Sequence, residues 1–327
     1  MTGPALAALE RCPVCGACDW RGTGARASCS HCGLAIDPRH FDAERCARTL
    51  RERLRPGPID PSALGHGRGA PFALDPFTLR IAASARPLWV ELADEAGAAA
   101  LAHPHGSPAR AHLVAPPPAG SPALGPPVAL AAICRASDAP ALAERLVAMA
   151  GNAPVAVVAD APGGTPLPPV RGAALLTRPL NGDFGAQRNA AQDFAESLGA
   201  RWVLQLDDDE TLDGGALPAL RAMASQADRQ GTVSIGLRRR NLVDGAMSDL
   251  WPDVQYRLSR AGVRFRGRVH ERPDAGGWRR TTIALCATID HHLERARVAQ
   301  RERRYEAMER GGGRSGDGAA LLRAYRP

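Results

Sequence analysis

Lysine is absent from this 327-residue chain; all 41 of its basic residues are arginine. The net charge of +7 would suit a polyanion-binding surface. Beside so much alanine, glycine and proline, however, the arginine excess reads as coding bias, and nucleic acid ranks lowest among expected partners. A guanidinium still pairs well with phosphate, so an anionic ligand stays open. Long apolar runs are missing as well. Stretches such as Val128–Cys134 are far too short to cross a bilayer, and no transmembrane segment is expected. The first residues lack the basic start and apolar run of a secretion signal, which gives a cytoplasmic expectation, with attachment at the inner membrane face left open. Cysteine is scarce beyond residue 46, because six of the eight lie within the first 46 residues. In a cytosolic chain such clustering points to metal rather than disulfides.

Four segments follow from composition and periodicity. Residues 10–38 hold the cysteine cluster. Residues 40–126 are rich in Ala, Pro and Gly, with helical periodicity at Phe41–Leu54, a strand at Leu88–Leu92, and a linker at Ala115–Pro127 whose prolines cannot join a ladder. Residues 127–310 alternate strands and helices: strands at Val128–Cys134, Val155–Ala159, Ala173–Thr177 and Trp202–Leu206, helices at Ala139–Ala150 and Phe184–Leu198, the latter stopped by Gly199. That alternation predicts an α/β domain with a mostly parallel sheet, whose ligands gather at the carboxyl ends of the strands. A charged helix over Leu293–Arg310 reads as surface stabilisation, and 311–327 as a flexible tail.

Cys12, Cys15, Cys29 and Cys32 form two CxxC pairs thirteen residues apart, each followed by glycine. Such knuckles place four thiolates tetrahedrally around one Zn²⁺ and leave no open position, so the zinc would be structural. Cys18 and His31 are within reach as alternative ligands. The run resembles the zinc ribbons at the front of many bacterial enzymes.

The stretch Arg201–Glu210 is a buried strand that ends in four consecutive acids, Asp207, Asp208, Asp209 and Glu210. Their repulsion is costly unless a cation offsets it, and Mg²⁺ or Mn²⁺ favours carboxylate oxygens. A solvated acidic turn capping the next helix is the alternative.

Upstream of the acids lies Asn181–Asn189, containing Arg188 and Asn189; downstream come Trp251–Arg260 and Phe265–Glu271. In this order the blocks resemble family-2 glycosyltransferases of GT-A fold, over roughly half the chain. The resemblance implies an inverting enzyme that moves a sugar from a nucleotide-sugar donor to a carbohydrate, lipid-linked or protein acceptor. It places Asp207 and Asp209 at the two acids of a DXD motif holding Mg²⁺ or Mn²⁺. Asp160, Arg188, Asn189, Asp207 and His270 fall at the donor, and Asp253 and Glu271 become the candidates for general base. The sequence departs from the family at Ile133–Asp138, where Asn-Glu is usual, and at Ala159–Gly164, where Asp-Asp-Gly-Ser is usual. His291 and His292 offer two further imidazoles. Arg264, Arg266 and Arg268 share one strand face, turned to phosphate or to solvent. Two other readings compete: a zinc-ribbon adaptor with a degenerate transferase-like domain, and a nucleotidyltransferase. The second is weakened because no Gly-rich phosphate loop follows Val128–Cys134.

Overall fold

The computed structural model describes residues 125–212, 216–248, 250, 253–276, 280–313 and 315–324, with short pieces of the N-terminal third at 20–23, 26–29, 35–37, 42, 72–74, 89–92 and 109–114. Near the N-terminus, β1 (Trp20–Thr23), β2 (Arg26–Cys29) and β3 (Ala35–Ile36) form an antiparallel sheet in chain order, burying Ala27 and Ile36. Of the expected zinc ligands, Cys29 ends β2, while Cys12, Cys15 and Cys32 lie outside the described residues. The periodic stretch Phe41–Leu54 also lies outside them, apart from Asp42.

Residues 40–126 contribute β4 (Phe72–Leu74), β5 (Trp89–Leu92) and β6 (Ala109–Val114). There follow β7 (Val128–Arg135), α1 (Ala139–Ala150), β8 (Val155–Asp160), β9 (Ala174–Thr177), α2 (Phe184–Ser197), β10 (Trp202–Leu206) and β11 (Glu210–Leu212). Then come α3 (Ala216–Gln230), β12 (Ser234–Val243), β13 (Ala246–Met247), β14 (Asp253–Arg260), β15 (Arg264–Arg266) and β16 (Arg272–Asp274). The chain closes with β17 (Thr281–Leu293), α4 (Arg295–Met308) and α5 (Ser315–Leu322).

The main sheet runs β4-β6-β5-β17-β12-β14-β10-β7-β8-β9. Between β9 and β17 four of the six junctions are parallel, and β14 runs against both its neighbours. This is the mixed, mostly parallel sheet with flanking helices that the alternation predicts. The intermediate segment joins it antiparallel, β5 pairing with β17.

Strand alternation builds two core layers. Val128, Leu130 and Ala132 of β7, with Trp202, Leu204 and Leu206 of β10, face one side, where α1 and α3 supply Leu142, Leu146, Leu220 and Met223. Ala129, Ala131 and Ile133 face the other, covered by Ala191 and Ala195 of α2. Strands buried on both faces must be continuously apolar, which is why these read as short runs rather than as alternating patterns. At the start of α2 the Asp183 carboxylate accepts from the Ala186 N–H at 2.8 Å, and beyond the helix Gly199 turns at φ 87°.

The tail departs from expectation. Its glycines let the chain reverse, and the Glu306 carboxylate accepts from the N–H groups of Gly311 and Gly313, both at 3.0 Å. Leu321 of α5 then packs with Val243, Leu250, Leu293 and Val298. Among the described residues of this run, one carboxylate and one apolar cluster bind it to the rest of the domain.

Candidate functional site

From β7 the chain steps outward to β8 and β9, whereas β10 lies on the opposite side of β7. Where the order reverses in this way, the carboxyl ends of the two strands part and leave a crevice. A cavity of about 440 Å³ opens there, lined by seven arginines and six carboxylates. With charge so nearly balanced, local placement decides what it can hold.

The acids after Leu206 find most of their counter-charge within the protein. Asp207 accepts from Arg188 Nη2 at 2.6 Å through one oxygen and from Arg257 through the other. Burial opposes its ionisation, but the two guanidiniums outweigh that and hold its carboxyl well below the usual range. Glu210 is fully buried; it meets Arg239 and Arg257, each at 2.9 Å, and accepts the Asp207 N–H at 3.0 Å. The repulsion among these acids is therefore relieved at two of the four without a metal ion. Asp208 has no such partner among the described residues. Burial, then the charges of Asp209, Asp207 and Asp138, push its carboxyl up to about 6. Burial with the nearby Asp208 and Asp138 also pushes the Cys134 thiol in the cavity wall to about 12, which keeps it protonated and unreactive.

Asp209 faces an imidazole. Its Oδ2 lies 3.2 Å from His291 Nε2. The His291 tautomer follows from its other neighbour: Asn241 donates its amide to Leu250 O and Asp253 Oδ2, both at 3.1 Å, so its Oδ1 accepts from His291 Nδ1 at 2.6 Å. That leaves Nε2 facing the Asp209 carboxylate on one side and the Arg301 Nη1 donor, at 3.4 Å, on another, and Asp209 meets the imidazole through a proton on Nε2 or a cation between them. Two ligands at right angles around an ion with bonds of about 2.1 Å stand about 3.0 Å apart, close to the 3.2 Å seen here. This pair, its imidazole oriented by an amide behind it, fits a divalent ion. Asp207, whose oxygens both carry guanidiniums, fits one less well. Among the described residues no cluster of three or more His, Cys, Asp or Glu could hold a metal, so substrate oxygens would have to complete the shell.

The two candidate bases differ sharply. Asp253 is buried; Arg239 Nε at 2.9 Å and Asn241 at 3.1 Å occupy one oxygen, and Gln255 at 2.6 Å the other. Although burial disfavours its charge, Arg239 and these hydrogen bonds hold its carboxyl well below the usual range. It is a counter-ion, and the base role expected of it has no support in this geometry. Glu271 bonds Arg188 through Oε1 alone, and Oε2 has no partner among the described residues. The loop that carries it docks on α2: a Cβ on Gly185 would collide with the Gly267 carbonyl, and Phe184 N donates to Arg268 O at 2.9 Å. His270 holds φ 52° there, a conformation that few non-glycine residues adopt. Its Nε2 lies 2.7 Å from the Gly312 carbonyl, which ties the tail to the site.

Of the other expected residues, Asp160 reaches the cavity at the end of β8 and accepts the Leu180 N–H at 2.8 Å. Asn189 does not reach it. Its side chain pairs with the Phe265 backbone, accepting at 2.7 Å and donating at 3.0 Å, because α2 turns that position towards β15. Asn189→Ala should therefore cost about 1–3 kcal/mol by stranding two backbone groups, read as a lower urea midpoint with ligand affinity unchanged. Arg264 and Arg266 face solvent and pair with Asp193 and Asp274.

Several site residues escaped the sequence reading. Gln255 and Arg257 follow the expected Asp253 at alternate positions of β14 and all three reach the cavity, a period-two signal that runs on past Asp253. Arg239 lies within the run Arg238–Arg240, where nothing in the sequence marks the inward residue. Arg301, Arg304 and Tyr305 also line the cavity, so the helix read as a plain surface element is one of its walls.

No protein-family model matches this chain, and no curated protein is significantly similar to it. No helix among the described residues is long and apolar enough to cross a membrane.

Proposed function

We propose that the chain is a metal-dependent inverting glycosyltransferase using a nucleoside-diphosphate sugar. The observation that carries this reading is the set converging at one strand-order reversal: Asp160, Asp207, Asp209 and Glu271 around a single cavity, with arginines among them. A donor would lie across the ends of β7, β8 and β10, with Asp160 towards its nucleoside. Asp209 and His291 would hold Mn²⁺, which suits a mixed imidazole and carboxylate pair and supplies positive charge against the leaving diphosphate. Glu271, steadied by Arg188, accepts the proton of the acceptor hydroxyl through its open oxygen. That hydroxyl oxygen then bonds to the anomeric carbon as the bond from that carbon to the diphosphate breaks, and the configuration inverts. Arg188 and Arg257 keep Asp207 ionised and fixed, so the floor of the site is organised before the donor arrives. The four N-terminal cysteines remain proposed as a structural zinc site.

Thermal-shift measurements with a panel of nucleotide sugars, with and without Mn²⁺, test the reading. One nucleotide class should stabilise the protein in the presence of Mn²⁺, by about 2.7 kcal/mol at a hundredfold excess over Kd. His291→Ala should weaken Mn²⁺ binding about ten- to a hundredfold, read by electron paramagnetic resonance. The adaptor reading is favoured by one observation, the two arginines filling both oxygens of Asp207. It predicts no response to any donor, with or without metal.

A further inference from the structure

The site just described leaves α4 unexplained. Its sequence reads as a charged surface helix, yet Arg301, Arg304 and Tyr305, spaced i, i+3 and i+4, share one face, and that face lines the cavity. Neither arginine has a carboxylate within ion-pair distance among the described residues, in contrast to the buried Arg188, Arg239 and Arg257, each of which pairs with two. Arg301 Nη1 lies 3.4 Å from His291 Nε2, directly beside Asp209. The Arg304 guanidinium carbon stands 6.0 Å from the centre of the Phe184 ring, at the entrance to α2. Tyr305 stands between Phe184 and His270, edge to face with both at 6.0 and 5.3 Å, and its hydroxyl has no hydrogen-bond partner among the described residues. The two guanidiniums thus run from the Asp209–His291 pair towards the Phe184 end of the cavity, a path suited to two linked phosphates.

We infer that Arg301 and Arg304 form a clamp for the diphosphate of the donor, with the Tyr305 hydroxyl donating a hydrogen bond between them. The inference rests on the donor reading above and names the part of the chain that grips the leaving group. Guanidiniums bind phosphate oxygens in a fork and stay charged throughout. A pair without internal carboxylate partners gives up no ion pair when phosphate arrives. Position on a helix that is tied down through Glu306 and His270 makes the clamp a fixed wall.

Isothermal titration of the full chain with UDP, GDP, ADP and CDP, each with Mn²⁺, identifies the diphosphate that binds best. Arg301→Ala and Arg304→Ala should each weaken it about ten- to a hundredfold. The preference for that diphosphate over its monophosphate should shrink in both variants, because the clamp spans two phosphates. Arg303→Ala, on the same helix but outside the cavity wall, should bind within about twofold of wild type, an ordinary tolerance for a surface change. If either alanine variant fails to fold by circular dichroism, its lysine counterpart, which keeps the charge and loses the fork, should still bind more weakly than wild type. Wild type binding a diphosphate while both variants bind it equally well would overturn the clamp and leave the donor reading intact. Wild type binding none of the four would overturn the donor reading and the clamp with it.

Discussion

Arg239→Ala is expected to lower the unfolding free energy by about 3–5 kcal/mol, the usual cost of removing one partner from a buried ion pair. Arg239 bridges Glu210 and Asp253, and all three side chains are largely removed from water. Its loss would leave Asp253 with only the neutral amides of Asn241 and Gln255, and Glu210 with Arg257 and the Asp207 N–H. Lysine in its place should recover part of the loss, since one ammonium cannot fork across two carboxylates. Urea unfolding at pH 7 reads the effect, and a change below about 1 kcal/mol would show that the network relaxes around the gap. The pH dependence supplies an independent sign. In wild type the Asp253 carboxyl is held below its unfolded value of about 3.9. Its contribution is therefore present in full above that value and is lost as pH falls towards the lower folded one. Without Arg239 the depressing charge is gone and burial raises the folded value instead. The variant should accordingly lose less stability than wild type between pH 6 and pH 3, or gain some.

Arg239 also marks where the sequence stops being legible. The strands β7, β8 and β10 are readable because burial on both faces forces unbroken apolar runs, and α1 and α2 because their small and apolar residues recur at helical spacing between a Pro or Asp start and a Gly stop. The expected spans agree with the folded elements to within a residue or so at their ends. Strand order and the antiparallel course of β14 are not readable in this way. Pairing between β10 and β14 joins segments about fifty residues apart, and no local periodicity encodes it. The cation that each acid meets is hidden for the same reason. Asp207 stands beside acids in sequence, whereas its partners come from α2 and from β14. A run of like charge therefore looks as though it needs an external ion throughout, while three arginines from three other elements have already met two of its four acids, Asp207 and Glu210. What the sequence could disclose was the presence of a site at the end of β10. Which of its carboxylates are spent internally and which remain for a ligand is a property of tertiary pairing. Asn189 and Asp253 are drawn into structural bonds by that pairing, and Arg301 and Arg304 are drawn into the cavity wall.

On the proposed transferase reading, Glu271→Gln should reduce turnover about 10²- to 10⁴-fold while leaving the fold and donor affinity nearly unchanged. Glutamine keeps an oxygen for Arg188 and the same volume, so the loop against α2 has no reason to move. Arg188 still pairs with Asp207, so no buried cation is stranded. What disappears is the ability of the open Oε2 position to take a proton. The comparison that isolates this is Asp253→Asn, because Asp253 is committed on both oxygens to Arg239, Asn241 and Gln255. That change removes one of the two counter-charges of Arg239 and should appear as a lower urea midpoint, with activity lost only in proportion to unfolded protein. Release of nucleoside diphosphate from the donor found by thermal shift, with water or a sugar as acceptor, measures both variants. Equal turnover in Glu271→Gln and wild type would remove Glu271 from the chemistry. If the Asp253→Asn protein stayed folded and lost turnover instead, the buried carboxylate would have to leave its three partners during the reaction, a rearrangement for which the tightly bonded end of β14 leaves little room.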